Sequence, residues 1–211
     1  MNLWESFASL LDVVLPRRAR TARVAVAVPT DVPISVHARE ERGVRIVSLM
    51  EYKEPLVEAL IHALKYDRSV HAAKILAEIL TDYLHGELSE AALFSTAKIF
   101  IVPIPLHATR ERERGFNQVS CVLSQLPSEL RGHIHDDVLV RVRPTAPQTR
   151  LPRAARLTNL EGAFAADPKK VAGTRVIVID DVTTTGTTLS EAALTLKRAG
   201  AEVESLALAR A

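Results

Sequence analysis

Residues 175–188 read RVIVIDDVTTTGTT. Val176, Ile177, Val178 and Ile179 form an uninterrupted apolar run of β-formers, the pattern of a strand buried on both faces inside a parallel sheet. Two adjacent aspartates, Asp180 and Asp181, follow it. Side-by-side carboxylates repel one another and are costly to bury, so they mark the solvated end of that strand. A threonine-rich turn then leads into a helix from Gly186 to Ala199. Its spacing turns Leu189, Ala193 and Leu196 inward and Glu191, Lys197 and Arg198 outward, and Gly200 stops it.

The same strand-to-helix alternation recurs upstream. VRIVSLMEY, from Val44, reads as a strand, and Pro55 stands in the first turn of a helix with Leu56, Leu60, Ile61 and Leu64 on one face. Ser69 is placed to cap a second helix whose apolar face holds Val70, Ala73, Ala77, Leu80 and Leu84. KIFIVPIP, at 98–105, is a short apolar run of the kind found in a central strand. A basic loop follows it, then a helix starting near Asn117. VLVRV and GAFAAD read as short strands and VESLALAR as a final one. This order predicts an α/β fold with a mainly parallel central sheet flanked by helices. Before Val44 the pattern is weaker. A helix is expected over about Leu3 to Val14; ARVAVAVP reads as a strand, and PTDVP and HAREERG read as turns and exposed chain.

Composition narrows the functional classes. A chain of 211 residues suits one sizeable domain. No apolar run is long enough to span a bilayer. Glu5 interrupts the apolar N-terminus and basic residues follow it, the wrong order for a secretory signal, so a cytoplasmic location is expected. The single Cys121 excludes an internal disulfide and a thiolate-rich zinc site within one chain. A net charge of +2 does not by itself imply a nucleic-acid partner. Arginines do concentrate at Arg110, Arg112, Arg114, Arg131, Arg141, Arg143, Arg150, Arg153 and Arg156. Local charge alone fits a solvated surface with Glu–Arg pairs, and a rim around a polyanion is the sharper alternative.

In open α/β sheets ligands bind at the carboxyl ends of strands. Thr183, Thr184, Thr185, Gly186, Thr187 and Thr188 lie at such an end and open a helix, whose unpaired N–H groups favour an anion. Hydroxyls add donors, and Gly186 lets the backbone approach a ligand closely. Beside this cradle, Asp180 and Asp181 can accept hydrogen bonds from vicinal hydroxyls. A phosphate next to a diol describes a ribose 5-phosphate unit.

VIVIDDVTTTGTT resembles the phosphoribosyl pyrophosphate (PRPP) signature of type I phosphoribosyltransferases. The resemblance implies that Asp180 and Asp181 hold the ribose hydroxyls and that Thr183–Thr188 wrap the 5-phosphate. Members acting on 6-oxopurines often carry an acid at the position of Thr184, and threonine cannot perform that proton transfer. A second stretch, VPIPLHATRERERGFNQ, together with ALKYDRS and RVRPTAPQTRLPRAARLTNLEGAF, resembles the ComF family of competence-associated phosphoribosyltransferase-like proteins. That resemblance covers nearly all of Val44 to Ala211. It implies a pyrophosphate-contacting loop through His107, Arg110, Arg112, Arg114 and Asn117, with guanidiniums suited to bidentate phosphate binding. By themselves His107 is more often a packed or surface histidine and Phe116 more often a core residue than a base-stacking one, and residues 115–118 fit a mobile cover or a helix cap. The family usually carries an N-terminal zinc-ribbon segment; here residues 1–43 keep a family-like LPRR but have no cysteine. The expected organisation is therefore a degenerate N-terminal segment over 1–43, without zinc, and a phosphoribosyltransferase-like domain over 44–211.

The leading expectation is an enzyme of the pentosyl-transfer class that binds PRPP with Mg²⁺, the ion being held through the ligand near Asp180 and Asp181 rather than by a cage of protein ligands. It would displace pyrophosphate with a nitrogen nucleophile. The chain singles out no general base and no acceptor. The alternative is a non-catalytic nucleotide or PRPP-binding accessory factor in DNA uptake. A single-stranded DNA binder using the arginine segment is weaker, because aromatic residues to stack bases are scarce. The sequence leaves oligomeric state open.

Overall fold

The computed structural model describes residues 17–94, 96–106, 115–143 and 160–211. The expected helix at Leu3–Val14, and His107, Arg110, Arg112, Arg114, Arg150, Arg153 and Arg156, lie outside the described residues.

Seven strands and seven α-helices follow one another along the described chain. Helix α1 (Arg17–Val26) leads through a 3-10 turn (Pro29–Asp31) to strands β1 (His37–Glu41) and β2 (Val44–Glu51). Helices α2 (Pro55–Asp67) and α3 (Val70–Phe94) precede β3 (Ile99–Pro103). Then come α4 (Gln118–Leu123), α5 (Ser128–Arg131), β4 (Leu139–Arg141) and β5 (Phe164–Ala166). Helix α6 (Pro168–Val171), β6 (Arg175–Thr183), α7 (Thr187–Arg198) and β7 (Glu202–Arg210) complete the fold.

The main sheet has five strands in the order β1-β2-β7-β6-β3. β1 pairs antiparallel with β2 and every other pairing is parallel. β4 and β5 form a separate antiparallel pair. Alternate residues of each strand meet different layers, as a pleated strand requires. Ile177 and Ile179 of β6, with Leu206 and Leu208 of β7, pack with the apolar faces of α1–α4. Val176, Val178 and Ala207 face Leu189, Ala192, Ala193 and Leu196 of α7. Each fully buried Leu or Ile contributes about 1.5–3 kcal/mol relative to exposure.

Several expectations change. ARVAVAVP is not a strand: residues 22–26 are the end of α1, and Val24 there and Ala27 just beyond it are buried while Val26 is 79% exposed. The i, i+3 pair faces α2 and α3, and the edge of the sheet is already taken by β1, so tertiary packing overrides the valine alternation. HAREERG is exposed, as read, yet it is β1 and a hairpin turn. Arg42 and Gly43 both have positive φ (54° and 71°), as a two-residue type I′ turn demands. KIFIVPIP forms an edge strand rather than a central one. Its open side is covered by the 133–135 segment, with Ile101 N–H donating to His133 O (2.7 Å) and His135 N–H to Ile101 O (3.0 Å). Val70 is 59% exposed, so the buried face of α3 starts at Ala72 and Ala73. Glu191, read as an outward residue, is fully buried.

Other expectations stand. Pro55 occupies the first turn of α2, and the Ser69 hydroxyl accepts from Ala72 N–H at 3.2 Å at the start of α3. The sheet is mainly parallel and lies between helical layers.

Candidate functional site

β6 is flanked on both sides by parallel partners, and its last residues carry the acidic pair. Asp180 pairs in register with Ala207 of β7. Part of Asp180 reaches solvent, but protein crowds its carboxyl, and burial together with the charge of Asp181 raises its pKa from 3.8 to about 7. Lys65 and Arg141 act in the opposite direction without cancelling the effect.

The local backbone helps to hold these carboxylates. Asp180 Oδ1 accepts from Asp181 N–H at 2.9 Å, and Asp181 Oδ1 accepts from Val182 N–H at 2.6 Å. Asp181 Oδ2 lies 3.0 Å from Lys65 Nζ, on side chains only 14% and 10% exposed respectively. Lys65 comes from the last turn of α2, so the helix that follows β2 delivers a cation to the end of β6. Lys65 lies in the ALKYDRS stretch, but nothing in its spacing from Asp181, over a hundred residues later, predicts their contact.

The Thr183–Thr188 segment turns from β6 into α7. Thr183 and Thr187 are buried, Thr184 is exposed, and Thr185 and Thr188 are partly open. Thr185 Oγ1 and Thr187 Oγ1 are 2.8 Å apart, sharing a hydrogen bond. Gly186 has φ +82° and immediately precedes the first turn of α7. The expectation that its missing side chain leaves room for a ligand changes in one respect. A Cβ there would lie 2.6 Å from Ile46 Cδ1 and 2.9 Å from Arg39 Nη2, so residues of the β1–β2 hairpin fill that space. Arg39 donates to Thr184 O (2.6 Å) and to Thr183 Oγ1 (3.1 Å). Sequence reading missed Arg39 because HAREERG looked like solvent-exposed chain.

Asn117 has a structural placement. Its Oδ1 accepts from Val119 N–H (2.9 Å) and Ser120 N–H (3.4 Å), capping α4, while Nδ2 donates to Ile104 O at 2.9 Å. This ties the exit of β3 to α4 at the downstream end of the basic loop. The Arg68 guanidinium sits 4.6 Å from the Phe116 ring centroid at the same point. Arg143 donates to Glu161 O at 2.6 Å, and Arg141 lies over the Phe164 ring at 5.4 Å. Of the arginines of the expected basic rim that are described, Arg131 ends α5, whereas Arg141 and Arg143 stand at the end of β4 and just beyond it.

Among the described residues, no cluster of three or more His, Cys, Asp or Glu side chains could hold a metal by itself. Nor, among them, is any helix long and apolar enough to cross a membrane. What the site brings together is a carboxylate pair, a lysine beside it, and a hydroxyl-rich turn at the start of a helix, all at the carboxyl end of the central parallel strands.

Several known proteins are similar to this chain. Residues 116–211 match the phosphoribosyl transferase domain family. The DNA utilization protein YhgH of Salmonella typhimurium is 35% identical over 157 residues, covering 74% of this chain and 67% of that protein. Competence protein F of Haemophilus influenzae is 33% identical over 170 residues, covering 79% and 73%. Competence protein ComFC of Bacillus subtilis is 37% identical over 112 residues, covering 52% and 44%.

Proposed function

This chain belongs to the ComF family and carries a phosphoribosyltransferase-like domain, and on that premise we propose that it binds PRPP with Mg²⁺ and transfers the phosphoribosyl group to a nitrogen acceptor. The observation that carries the proposal is the junction of β6 and α7, where Asp180 and Asp181 stand directly before a threonine–glycine turn at a helix N-terminus. The ribose hydroxyls donate to the two carboxylates. The 5-phosphate takes N–H and hydroxyl donors from the Thr184–Thr188 turn and the positive end of α7.

The donor set suits the metal that this ligand carries. Two carboxylates, with no further acidic or imidazole partner among the described residues, make a poor all-protein cage, but Mg²⁺ retains waters and binds through one or two carboxylates plus phosphate oxygens. When bound, the ion neutralises charge on the departing pyrophosphate. Lys65 Nζ lies 3.0 Å from Asp181 Oδ2 and holds that carboxylate in place beside the ribose. The arginine loop, Arg110, Arg112 and Arg114 with His107, is assigned to the pyrophosphate through the family resemblance. Thr184 in place of an acid argues against 6-oxopurine acceptors.

Pyrophosphate release from PRPP and Mg²⁺, followed over a panel of nitrogenous acceptors, tests transfer. Acceptor-dependent release is expected, and its absence across the panel despite measurable PRPP binding would reject transfer in favour of a binding role. The names of the relatives favour that second role specifically: one is called a DNA utilization protein and two are called competence proteins. On this reading the same pocket serves an accessory factor in DNA uptake.

A further inference from the structure

The β1–β2 hairpin lies outside the stretch that matches the phosphoribosyl transferase family, yet it reaches the turn between β6 and α7. We propose that Arg39 is a positioning residue for this turn, fixing Thr183–Gly186 in the form that accepts a 5-phosphate; the proposal rests on the phosphoribosyl reading of the loop.

The argument starts from the two contacts. One planar guanidinium donates through Nη1 to Thr184 O (2.6 Å) and through Nη2 to Thr183 Oγ1 (3.1 Å), residues 145 and 144 positions away in sequence. In a trans peptide the C=O and the following N–H point to opposite sides. Holding the Thr184 carbonyl towards Arg39 therefore turns the Thr185 N–H away from the hairpin. Thr183 has a single hydroxyl proton, and while its oxygen accepts from Arg39 that proton is directed elsewhere. The turned Thr185 N–H is a donor on the side of the turn remote from the guanidinium, as an anion site requires.

The rest of the hairpin makes this placement firm. Gly186, at φ +82°, has Ile46 Cδ1, Arg39 Nη2 and Glu41 Cβ within 2.6, 2.9 and 3.3 Å of where a side chain would begin. Glu41 and Arg210 are the charged neighbours of Arg39, and burial lowers its pKa without threatening its charge at neutral pH. Its Nε is buried and makes no hydrogen bond among the described residues, so the two Nη contacts are what orient the head group. At the far end of β1, Arg42 in the hairpin turn lies 2.8 Å from the buried Glu191 of α7. The hairpin is thus pinned to α7 at one point and to the turn at another. A lysine, with a single point charge, could not span both acceptors.

The test compares wild type with Arg39→Met, Arg39→Lys and Arg42→Met, the last loosening the same hairpin away from the turn. Ribose 5-phosphate affinity is read by calorimetry, and amide hydrogen exchange of Thr184–Gly186 is read in the ligand-free protein, with circular dichroism and melting confirming each fold. Arg39→Met should weaken ribose 5-phosphate binding roughly ten- to a hundredfold and accelerate exchange of the turn. Arg39→Lys should fall between it and wild type, and Arg42→Met should leave both readouts within about threefold of wild type, below the effect of one charged hydrogen bond. Should Arg39→Met not fold, Arg39→Lys carries the comparison. Unchanged exchange in the Arg39 variants, or equal losses in Arg42→Met, would overturn the assignment. If wild type itself binds no ribose 5-phosphate, the phosphoribosyl reading fails, and the exchange data alone decide whether Arg39 positions the turn.

Discussion

Asp180 carries the least comfortable charge in the site. Its carboxyl is crowded by protein beside a second carboxylate, and its pKa stands near 7 against an ordinary 3.8. The folded protein therefore keeps a proton that the unfolded chain has already released. Stability should fall as pH rises from about 4 to about 7 and level off above that, because in this window the folded state binds more protons. Asp180→Asn should flatten most of that slope and exceed wild type by roughly 2–4 kcal/mol at pH 8, since each tenfold change in proton affinity is worth about 1.36 kcal/mol. Denaturant titrations at pH 5 and pH 8 measure both. Gly186→Ala should do the reverse. At φ +82°, and with Ile46 2.6 Å from a new Cβ, it should cost about 1–3 kcal/mol and weaken phosphate binding, read from melting and calorimetry. The acidic pair and the threonine turn were legible as a ligand site from their types and order. The contacts that hold them, from Lys65 to Asp181 and from Arg39 to the turn, were not, since each crosses more than a hundred residues of chain.

Among the elements, α7 and the β1–β2 hairpin form the most informative pair. The periodicity of α7 placed Leu189, Ala193 and Leu196 in the core, and all three are fully buried. The same periodicity placed Glu191 in solvent, yet it is buried, because Arg42 (2.8 Å), Arg198 (3.4 Å) and Gly162 N–H (3.1 Å) surround its carboxylate. Period alone cannot foresee a buried charge two of whose partners, Arg42 and the Gly162 N–H, come from a hairpin turn and a distant loop. Glu191→Ala should therefore cost about 2–4 kcal/mol, far more than an exposed helical pair, since it leaves the Gly162 N–H and two arginines without their acceptor. Chemical denaturation of the variant checks this. The misreading of HAREERG has a similar origin. An edge strand needs little apolar content, and its Arg42-Gly43 turn was the one local sign of a hairpin.

For the whole molecule, the strand-by-strand reading predicted a mainly parallel α/β sheet, and the sheet is one. The strand order was not legible. β7, last in the chain, pairs between β2 and β6 near the middle of the sheet, while KIFIVPIP lies at an edge. An apolar run reports that a strand is covered but not by what, and Ile101 is covered by the 133–135 segment rather than by another long strand. Because β7 is the inner strand, Leu208→Ala should cost about 2–5 kcal/mol, whereas Val26→Ala, at a position 79% exposed, should stay within about 0.5 kcal/mol. Urea unfolding of the two variants makes the comparison.

The sheet also explains why the site lies where it does: β6 and its parallel neighbours all run their carboxyl ends towards one edge, and the acids and the α7 N-terminus meet there. Calorimetric titration of PRPP with Mg²⁺ into wild type and into Asp180→Asn/Asp181→Asn addresses that assignment directly. Saturable binding to wild type below millimolar ligand, weakened at least about tenfold in the double variant, is the predicted result. Undetectable binding to wild type at millimolar PRPP, or equal affinity in the double variant, would contradict it.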